Sequence, residues 1–174
     1  MMNNILWVTA GLNHYKARFL NHLASESNIN LTLLTGTGRK NMGDEELQSD
    51  WNFEHIKVDV SKKDFGNSKL VKHKLKTIFN EFDWVLIPAE KKNLPLFWYT
   101  LKLKKQNRNV KLFSYNHPIF KSGKGQSTPI DKWLIKWFYK KLDRVIFYTE
   151  DSCKWALDEG LIAPKKAFWA NNTV

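Results

Sequence analysis

The chain has 174 residues, 43% of them apolar, which is the length and apolar content of one α/β domain with a sizeable core. Lysine and arginine exceed aspartate and glutamate by 28 − 17 = 11, which favours nucleic acid, an anionic membrane surface or a phosphorylated substrate, or is only a solvated coat. The single cysteine, Cys153, excludes an internal disulfide and a zinc cluster. With no secretion signal and no run of ~18 apolar residues, we expect a cytoplasmic protein.

Strands and helices are predicted to alternate along the chain. Apolar or alternating runs predict strands at Ile5–Ala10, Ile29–Thr35, Phe53–Val60, Trp84–Pro88, Val110–Tyr115, Arg144–Tyr148 and Ala167–Ala170. Helical spacing of apolar residues predicts helices at Tyr15–Ser25, Ser68–Phe82, Asn93–Gln106, Pro129–Leu142 and Glu150–Glu159. This alternation predicts an α/β fold of a single domain: a doubly wound, mostly parallel Rossmann-like sheet with helices on both faces.

Two predicted helices differ in how their apolar residues are used. The helix at Pro129–Leu142 has one stripe, which we expect to cover the sheet: Ile130, Trp133, Leu134, Trp137, Phe138 and Leu142. The helix at Asn93–Gln106 is apolar around most of its first turns and then carries Lys102, Lys104 and Lys105. Its second apolar face is left over, which predicts either a further domain against it or peripheral contact with the inner face of an anionic membrane.

Several enzyme motifs are missing. No Gly-x-Gly-x-x-Gly follows the first strand, and Ser122-Gly123-Lys124-Gly125 lacks the spacing of a P-loop. The sequence also has no His-Glu-x-x-His, Cys-x-x-Cys or Gly-x-Ser-x-Gly. These absences weigh against an ATPase, a simple dehydrogenase, a zinc protease and a serine hydrolase.

Ligands of doubly wound sheets bind at the carboxyl ends of the strands, so three loops are candidates. The Gly11–Arg18 segment joins the first strand to the first helix, whose free N–H groups suit an anion; the alternative is an ordinary turn with Lys16 and Arg18 on a solvated face. Candidate binding residues here are Gly11, Leu12, His14, Tyr15 and Arg18.

The other two loops follow the fourth and fifth strands. Glu90 and Lys91 come after the fourth, and Asn116 and His117 after the fifth. A histidine at that place can hydrogen-bond a sugar hydroxyl or a phosphate near neutral pH, although a lone histidine is also often structural. We take His117 as the candidate catalytic residue and Glu90, Lys91 and Asn116 as candidate binding residues, with no metal site.

The Gly11–Ala24 segment resembles the opening of family-four type glycosyltransferases of the GT-B fold. In one subgroup a Tyr-Arg-x-x-x-Phe-x-x-Leu run begins the first helix, and Lys16 here replaces that arginine. Asp143–Glu150 is similar to the family's Asp-Arg-Val-Ile-x-x-Ser strand, with Thr149 in place of serine, and Leu161–Val174 is similar to the segment before the interdomain linker.

The resemblance implies that residues 1–174 are the acceptor-side, N-terminal Rossmann-like domain of a two-domain enzyme, without its nucleotide-sugar domain. It implies that Gly11 belongs to the loop that approaches the donor phosphates and that His117 contacts the transferred sugar. The family's first loop has paired glycines, and only Gly11 is present here. The implied partners are a nucleotide sugar, a glycan or lipid-linked acceptor and the missing domain, with no metal or other cofactor; the implied role is surface polysaccharide synthesis, and the chain alone is expected to be inactive.

A different class of function remains open. A basic α/β module could bind nucleic acid or a phosphorylated small ligand through the same loops. The net charge of the chain supports this alternative, but no nucleic-acid-binding motif does.

Overall fold

A computed structural model of the chain describes residues 2–38, 50–116 and 128–170. The chain consists of two compact units, Met1–Lys111 and Leu112–Val174. Within the described residues every strand pairing is parallel.

The first unit is built on four strands in the order β3-β2-β1-β4. They are β1 (Asn3–Thr9), β2 (Ile29–Thr35), β3 (Glu54–Lys57) and β4 (Trp84–Leu86). The central strand is β1, whose Trp7 lies opposite Leu33 of β2 and Leu86 of β4. Its second half suits a central position, because Leu6, Trp7 and Val8 are apolar and buried and Thr9 is buried with them.

Three helices belong to this unit: α1 (His14–Ala24), α2 (Lys69–Ile78) and α3 (Leu94–Gln106). The chain moves from β1 to β2 on one side through α1, and from β3 back across to β4 through α2. Because parallel crossovers are right-handed, α1 and α2 lie on opposite faces of the strands. Pro95 stands in the first turn of α3, where its missing N–H costs nothing.

The second unit contains β5 (Lys111–Asn116), β6 (Arg144–Phe147) and β7 (Ala167–Trp169), neighbours in that order. The helix α4 (Pro129–Lys141) begins with a capping box, in which Thr128 and Asp131 each bond the other's backbone N–H. The helix α5 (Glu150–Asp158) ends at Gly160, whose φ of +62° allows Leu161 N–H to bond the Ala156 carbonyl.

The predicted α/β class, parallel pairing and Rossmann-like winding are confirmed. The single domain spanning residues 1–174 stays a prediction. The interpretation of the α4 stripe was wrong in part: Phe138 and Leu142 are buried, but Ile130 is 73% exposed and Trp133 66% exposed. The helix turns these two side chains to the surface, so the sheet accounts for only part of the stripe.

No helix in residues 2–38, 50–116 and 128–170 has the length and apolar content needed to cross a membrane.

Candidate functional site

The carboxyl ends of β1 and β4 meet at the place where the strand order reverses. From β1 the chain continues to β2 on one side, while β4 lies on the other side. The loops after β1 and β4 therefore leave the sheet in opposite directions and open a crevice between them, which is the usual ligand position in this fold. Gly11 follows β1, and Glu90 and Lys91 follow β4, so the structure brings these three candidate residues to one edge of the first unit.

The turn after β1 is fixed by its own sequence. Asn13 caps α1, since its side-chain oxygen accepts the N–H of Lys16 at 3.0 Å and its carbonyl accepts the N–H of Ala17 at 2.9 Å. Leu12 is buried in the core, so it anchors the turn and offers a ligand only its backbone. The first turn of α1 contains no acidic residue, which leaves the positive end of the helix uncompensated by its own side chains.

Lys16 adds a full positive charge at this point. Its side chain runs back toward the strand end, with Nζ 3.1 Å from the Thr9 hydroxyl and 3.4 Å from the Gly11 carbonyl. The Thr9 hydroxyl in turn donates to the Gly11 carbonyl at 3.3 Å. The ammonium group is thus held beside the backbone of Gly11, at the start of α1, where phosphate-like anions bind best.

From the sequence, Lys16 is a residue of the turn with a solvated face as its alternative, and it replaces the arginine of the family's first-helix motif; it was not among the candidate binding residues. The signal available was its position three residues after a capping asparagine, from which a long side chain can reach back over the turn. Tyr15 and Arg18, which were included, have exposed side chains. His14 begins α1, but its side chain lies outside the described residues.

The β4 side of the crevice carries mixed charge. A short 3-10 turn, Lys91–Asn93, follows Glu90, and the Glu90 carboxylate forms an ion pair with Lys92 at 2.6 Å. Both partners are largely exposed, so this pair contributes little to stability. Lys91 is exposed at the same turn.

Two glycines let the backbone close around this edge. A Cβ on Gly36, just after β2, would lie 2.5 Å from the Val60 carbonyl oxygen and 3.0 Å from that of Ala10. A Cβ on Gly66 would lie 2.4 Å from the Lys92 carbonyl oxygen. The segments that follow β1, β2 and β4 are therefore fixed by backbone contact, which gives the crevice a preformed floor.

Asn116 belongs to the second unit and ends β5. It is buried; its carbonyl accepts the Tyr148 N–H at 3.3 Å, and its side chain forms a hydrogen bond with the Tyr139 hydroxyl. Burial raises the pKa of Tyr139 well above its usual value, and the bond with Asn116 lowers it only in part. The hydroxyl therefore stays protonated and fixes the strand end. His117, the next residue, lies outside the described residues.

Comparisons with known proteins identify the fold. No family model and no curated protein matches the sequence. Among solved structures, a glycosyltransferase from Rickettsia africae is similar over 98% of this chain and 43% of its own, with 16% identity and a TM-score of 0.59. HepE from Anabaena, solved with UDP and glucose, is similar over 100% of this chain and 45% of its own, with 11% identity and a TM-score of 0.57.

The same fold occurs in a Rossmann-fold NAD(P)-binding family protein from Shigella flexneri, over 84% of this chain and 67% of that protein, with 18% identity and a TM-score of 0.51. The chain spans less than half the length of the Rickettsia glycosyltransferase and of HepE. At these identities the likeness concerns the fold, a Rossmann-like α/β fold shared with sugar-transferring and NAD(P)-binding proteins.

Proposed function

We propose that this chain is the acceptor-side half of a GT-B glycosyltransferase, which moves a sugar from a nucleotide-sugar donor to a glycan or lipid-linked acceptor in surface polysaccharide synthesis. The observation that carries the proposal is the Lys16 ammonium group held against Gly11 at the start of α1. Two likenesses support it: one to the Rickettsia glycosyltransferase over 98% of this chain, and one to HepE, solved with UDP and glucose, over 100% of this chain.

The chemistry requires stabilisation of a leaving group. The acceptor hydroxyl attacks the anomeric carbon and a new C–O bond forms. The bond to the nucleoside diphosphate breaks with both electrons leaving on the phosphate, and the proton of the hydroxyl passes to the departing diphosphate or to water. Lys16 and the positive end of α1 would face that developing charge, which lowers the barrier without a metal. The resemblance assigns the contact with the transferred sugar to His117, and a second domain would hold the rest of the nucleotide.

The phosphate contact can be tested on the chain itself. In an NMR titration with UDP, we expect the amide signals of Gly11 and Leu12 to shift, and Lys16→Met to weaken binding about tenfold because one charge-assisted contact is lost. Lys16→Arg keeps the charge and should bind nearly as the parent does. Lys76→Met is the matched control, since Lys76 is an exposed lysine in the last turn of α2, at the other end of the strands.

Two outcomes would contradict the phosphate contact at Lys16: no binding of UDP, or an equal loss in the Lys16→Met and Lys76→Met variants. UDP-glucose extends the test, because His117→Ala should weaken UDP-glucose and leave UDP unchanged. Inorganic phosphate that competes as well as UDP would favour the alternative, a module for phosphorylated ligands. Turnover of nucleotide sugars by the chain alone would contradict its being half of an enzyme.

A peripheral membrane contact is the second part of the proposal. Leu94 and Trp98 are exposed on α3, and Lys102 and Lys105 are exposed further along the same helix, at spacings of three and four residues. These four residues form one face with apolar groups at one end and ammonium groups at the other, a pattern that suits an anionic headgroup layer. Each lysine near such a surface contributes about 1 kcal/mol.

Co-sedimentation with phosphatidylglycerol vesicles tests this contact. We expect binding at low salt that weakens as salt rises, because the Debye length falls to about 10 Å at 0.1 M. Leu94→Ser with Trp98→Ser should reduce binding, and Leu70→Ser, which alters an exposed leucine of α2, should not. Absence of binding at low salt, or equal loss in the control, would refute the membrane contact without affecting the UDP test.

A further inference from the structure

The second unit contains a cavity at the edge opposite to the carboxyl ends of its strands. Its volume is about 390 Å³, and its walls come from the last turns of α4 and from the segment between α5 and β7. Both wall segments precede a strand, β6 and β7 respectively, so the cavity lies at the amino ends. It is lined by Lys136, Tyr139, Lys140, Gly160, Leu161, Ile162, Ala163 and Lys166. A volume of this size is within the range of small-molecule sites.

The cavity has an apolar floor. Leu161 and Ile162 are buried, and so is Tyr139, whose hydroxyl is already bonded to Asn116 and whose ring packs edge-to-face on Phe147. The floor therefore presents ring and aliphatic surface. A ligand that fills it would bury an apolar group of its own.

The rim of the cavity is cationic, and none of the described residues that line it carries a carboxylate. Lys136 and Lys140 stand one helical turn apart on α4, both exposed, and neither forms an ion pair with a described residue. Two like charges at this spacing repel each other, so the pair is mildly unfavourable until an anion lies between them.

The end of α4 alone would not attract an anion, because its carbonyl groups carry partial negative charge. Lys166 offsets that charge: its Nζ donates to the Leu142 carbonyl at 2.6 Å and to the Lys140 carbonyl at 3.3 Å. The carboxylate of Glu159, next to Gly160, is paired with Lys132 at 2.6 Å. The carbonyl end of α4 and the Glu159 carboxylate are thus bonded to cations, and the charges of Lys136 and Lys140 remain to act on a ligand.

We infer that this cavity binds a phosphate monoester with an apolar substituent, at a site separate from the sugar-transfer crevice. A phosphate monoester carries −1.5 to −2 charges at pH 7, which matches the two unpaired lysines better than a single carboxylate does. The substituent occupies the floor formed by Tyr139, Leu161 and Ile162. Such a ligand could be a soluble metabolite or the head of an anionic lipid, and the two share this chemistry.

Phenyl phosphate is a suitable first probe, with binding to the 174-residue chain followed by NMR. We expect shifts at the amides of Gly160, Leu161 and Ile162, and binding at least about tenfold weaker in a Lys136→Ala, Lys140→Ala double variant. Lys136→Arg with Lys140→Arg should bind nearly as the parent does. The matched control is Lys76→Ala with Lys141→Ala, which removes the same charge from two exposed lysines outside the cavity.

Filling the cavity gives an independent readout. Ala163→Phe should abolish binding while leaving both lysines in place, and an unchanged amide spectrum elsewhere would show that the variant is folded. Inorganic phosphate should bind more weakly than phenyl phosphate because it leaves the floor uncovered. Tighter binding of dihexanoyl phosphatidic acid than of phenyl phosphate would identify a lipid source, and the reverse a soluble one. No binding of phenyl phosphate, or equal losses in the lysine variant and its control, would overturn the inference.

Discussion

Gly36→Ala adds only one methyl group, but we expect it to destabilise the chain by more than such a small change usually does. The new methyl group would lie 2.5 Å from the Val60 carbonyl oxygen, 3.0 Å from the Ala10 carbonyl oxygen and 3.0 Å from Cδ2 of Phe65. Two of these neighbours are backbone atoms that cannot rotate away. The Val60 oxygen is held further by the N–H and the hydroxyl of Thr37, at 2.9 and 3.1 Å.

The size of the effect follows from two opposing contributions. Overpacking against a rigid backbone destabilises the folded chain by about 3 kcal/mol. Alanine also lowers the conformational entropy of the unfolded chain, which stabilises the fold by about 0.7 kcal/mol. The free energy of unfolding should therefore fall by about 2 kcal/mol, which lowers Tm by about 4–8 °C for a chain of this length. Urea denaturation followed by tryptophan fluorescence measures the change.

Gly160→Ala is the matched control, because it makes the same substitution where space is open. No atom lies within 4 Å of the added Cβ, and only the φ of +62° opposes it, at a cost of about 1 kcal/mol. Gly36→Ala should also shift the NMR signals of Ala10 and Gly11, whereas Gly160→Ala should not. A loss below about 1 kcal/mol for Gly36→Ala, or one no greater than that of Gly160→Ala, would refute the proposed backbone contact at the crevice.

Three other substitutions or titrations test single features of the structure. Asn13→Ala should cost about 1 kcal/mol of unfolding free energy through loss of the α1 cap, and a cost near zero in urea denaturation would contradict the capping bond. Cys153 should react slowly with iodoacetamide at pH 8 and fast in urea, because burial and the Glu150 carboxylate raise the pKa of its thiol; equal rates would contradict this. Partial burial and Lys57 lower the pKa of His55 below 6.5, so the unfolded chain takes up the proton first and stability should fall as pH drops below 6.5. His55→Gln should flatten that part of the stability profile, and an unaltered profile would contradict the shift.

The order and type of the elements could be predicted from periodicity because each strand is a short apolar run and each helix carries a stripe. The strand at Ile29–Thr35 has its predicted bounds, and the strand predicted at Phe53–Val60 is observed over Glu54–Lys57. The helix predicted at Glu150–Glu159 is observed over Glu150–Asp158. These are local features, and local sequence contains them.

Other features depend on parts of the chain that are distant in sequence. Gly36 needs its small size because Val60 and Phe65 return to it more than twenty residues later, which no local pattern reveals. The stripe of α4 was predicted without its exposed end, because periodicity identifies an apolar face but not how far the sheet beneath it extends. The direction of the Lys16 side chain could not be predicted from the sequence, because it depends on hydrogen bonds to both Thr9 and Gly11.

The net charge of +11 alone could not distinguish a polyanion-binding protein from one with a solvated coat. The positions of the lysines can separate these two alternatives, because each position favours a different kind of anion. Lys16 is hydrogen-bonded to Thr9 and Gly11 at the start of α1. This position suits a phosphate that approaches the carboxyl ends of the strands. Lys102 and Lys105 are solvated beside an exposed tryptophan, which suits a surface, and Lys136 and Lys140 flank an apolar cavity, which suits a small amphiphilic anion. A coat of solvated charge would make Lys16→Met equivalent to Lys76→Met, and the Lys136, Lys140 double variant equivalent to Lys76→Ala with Lys141→Ala. The controls therefore test that alternative in both NMR assays.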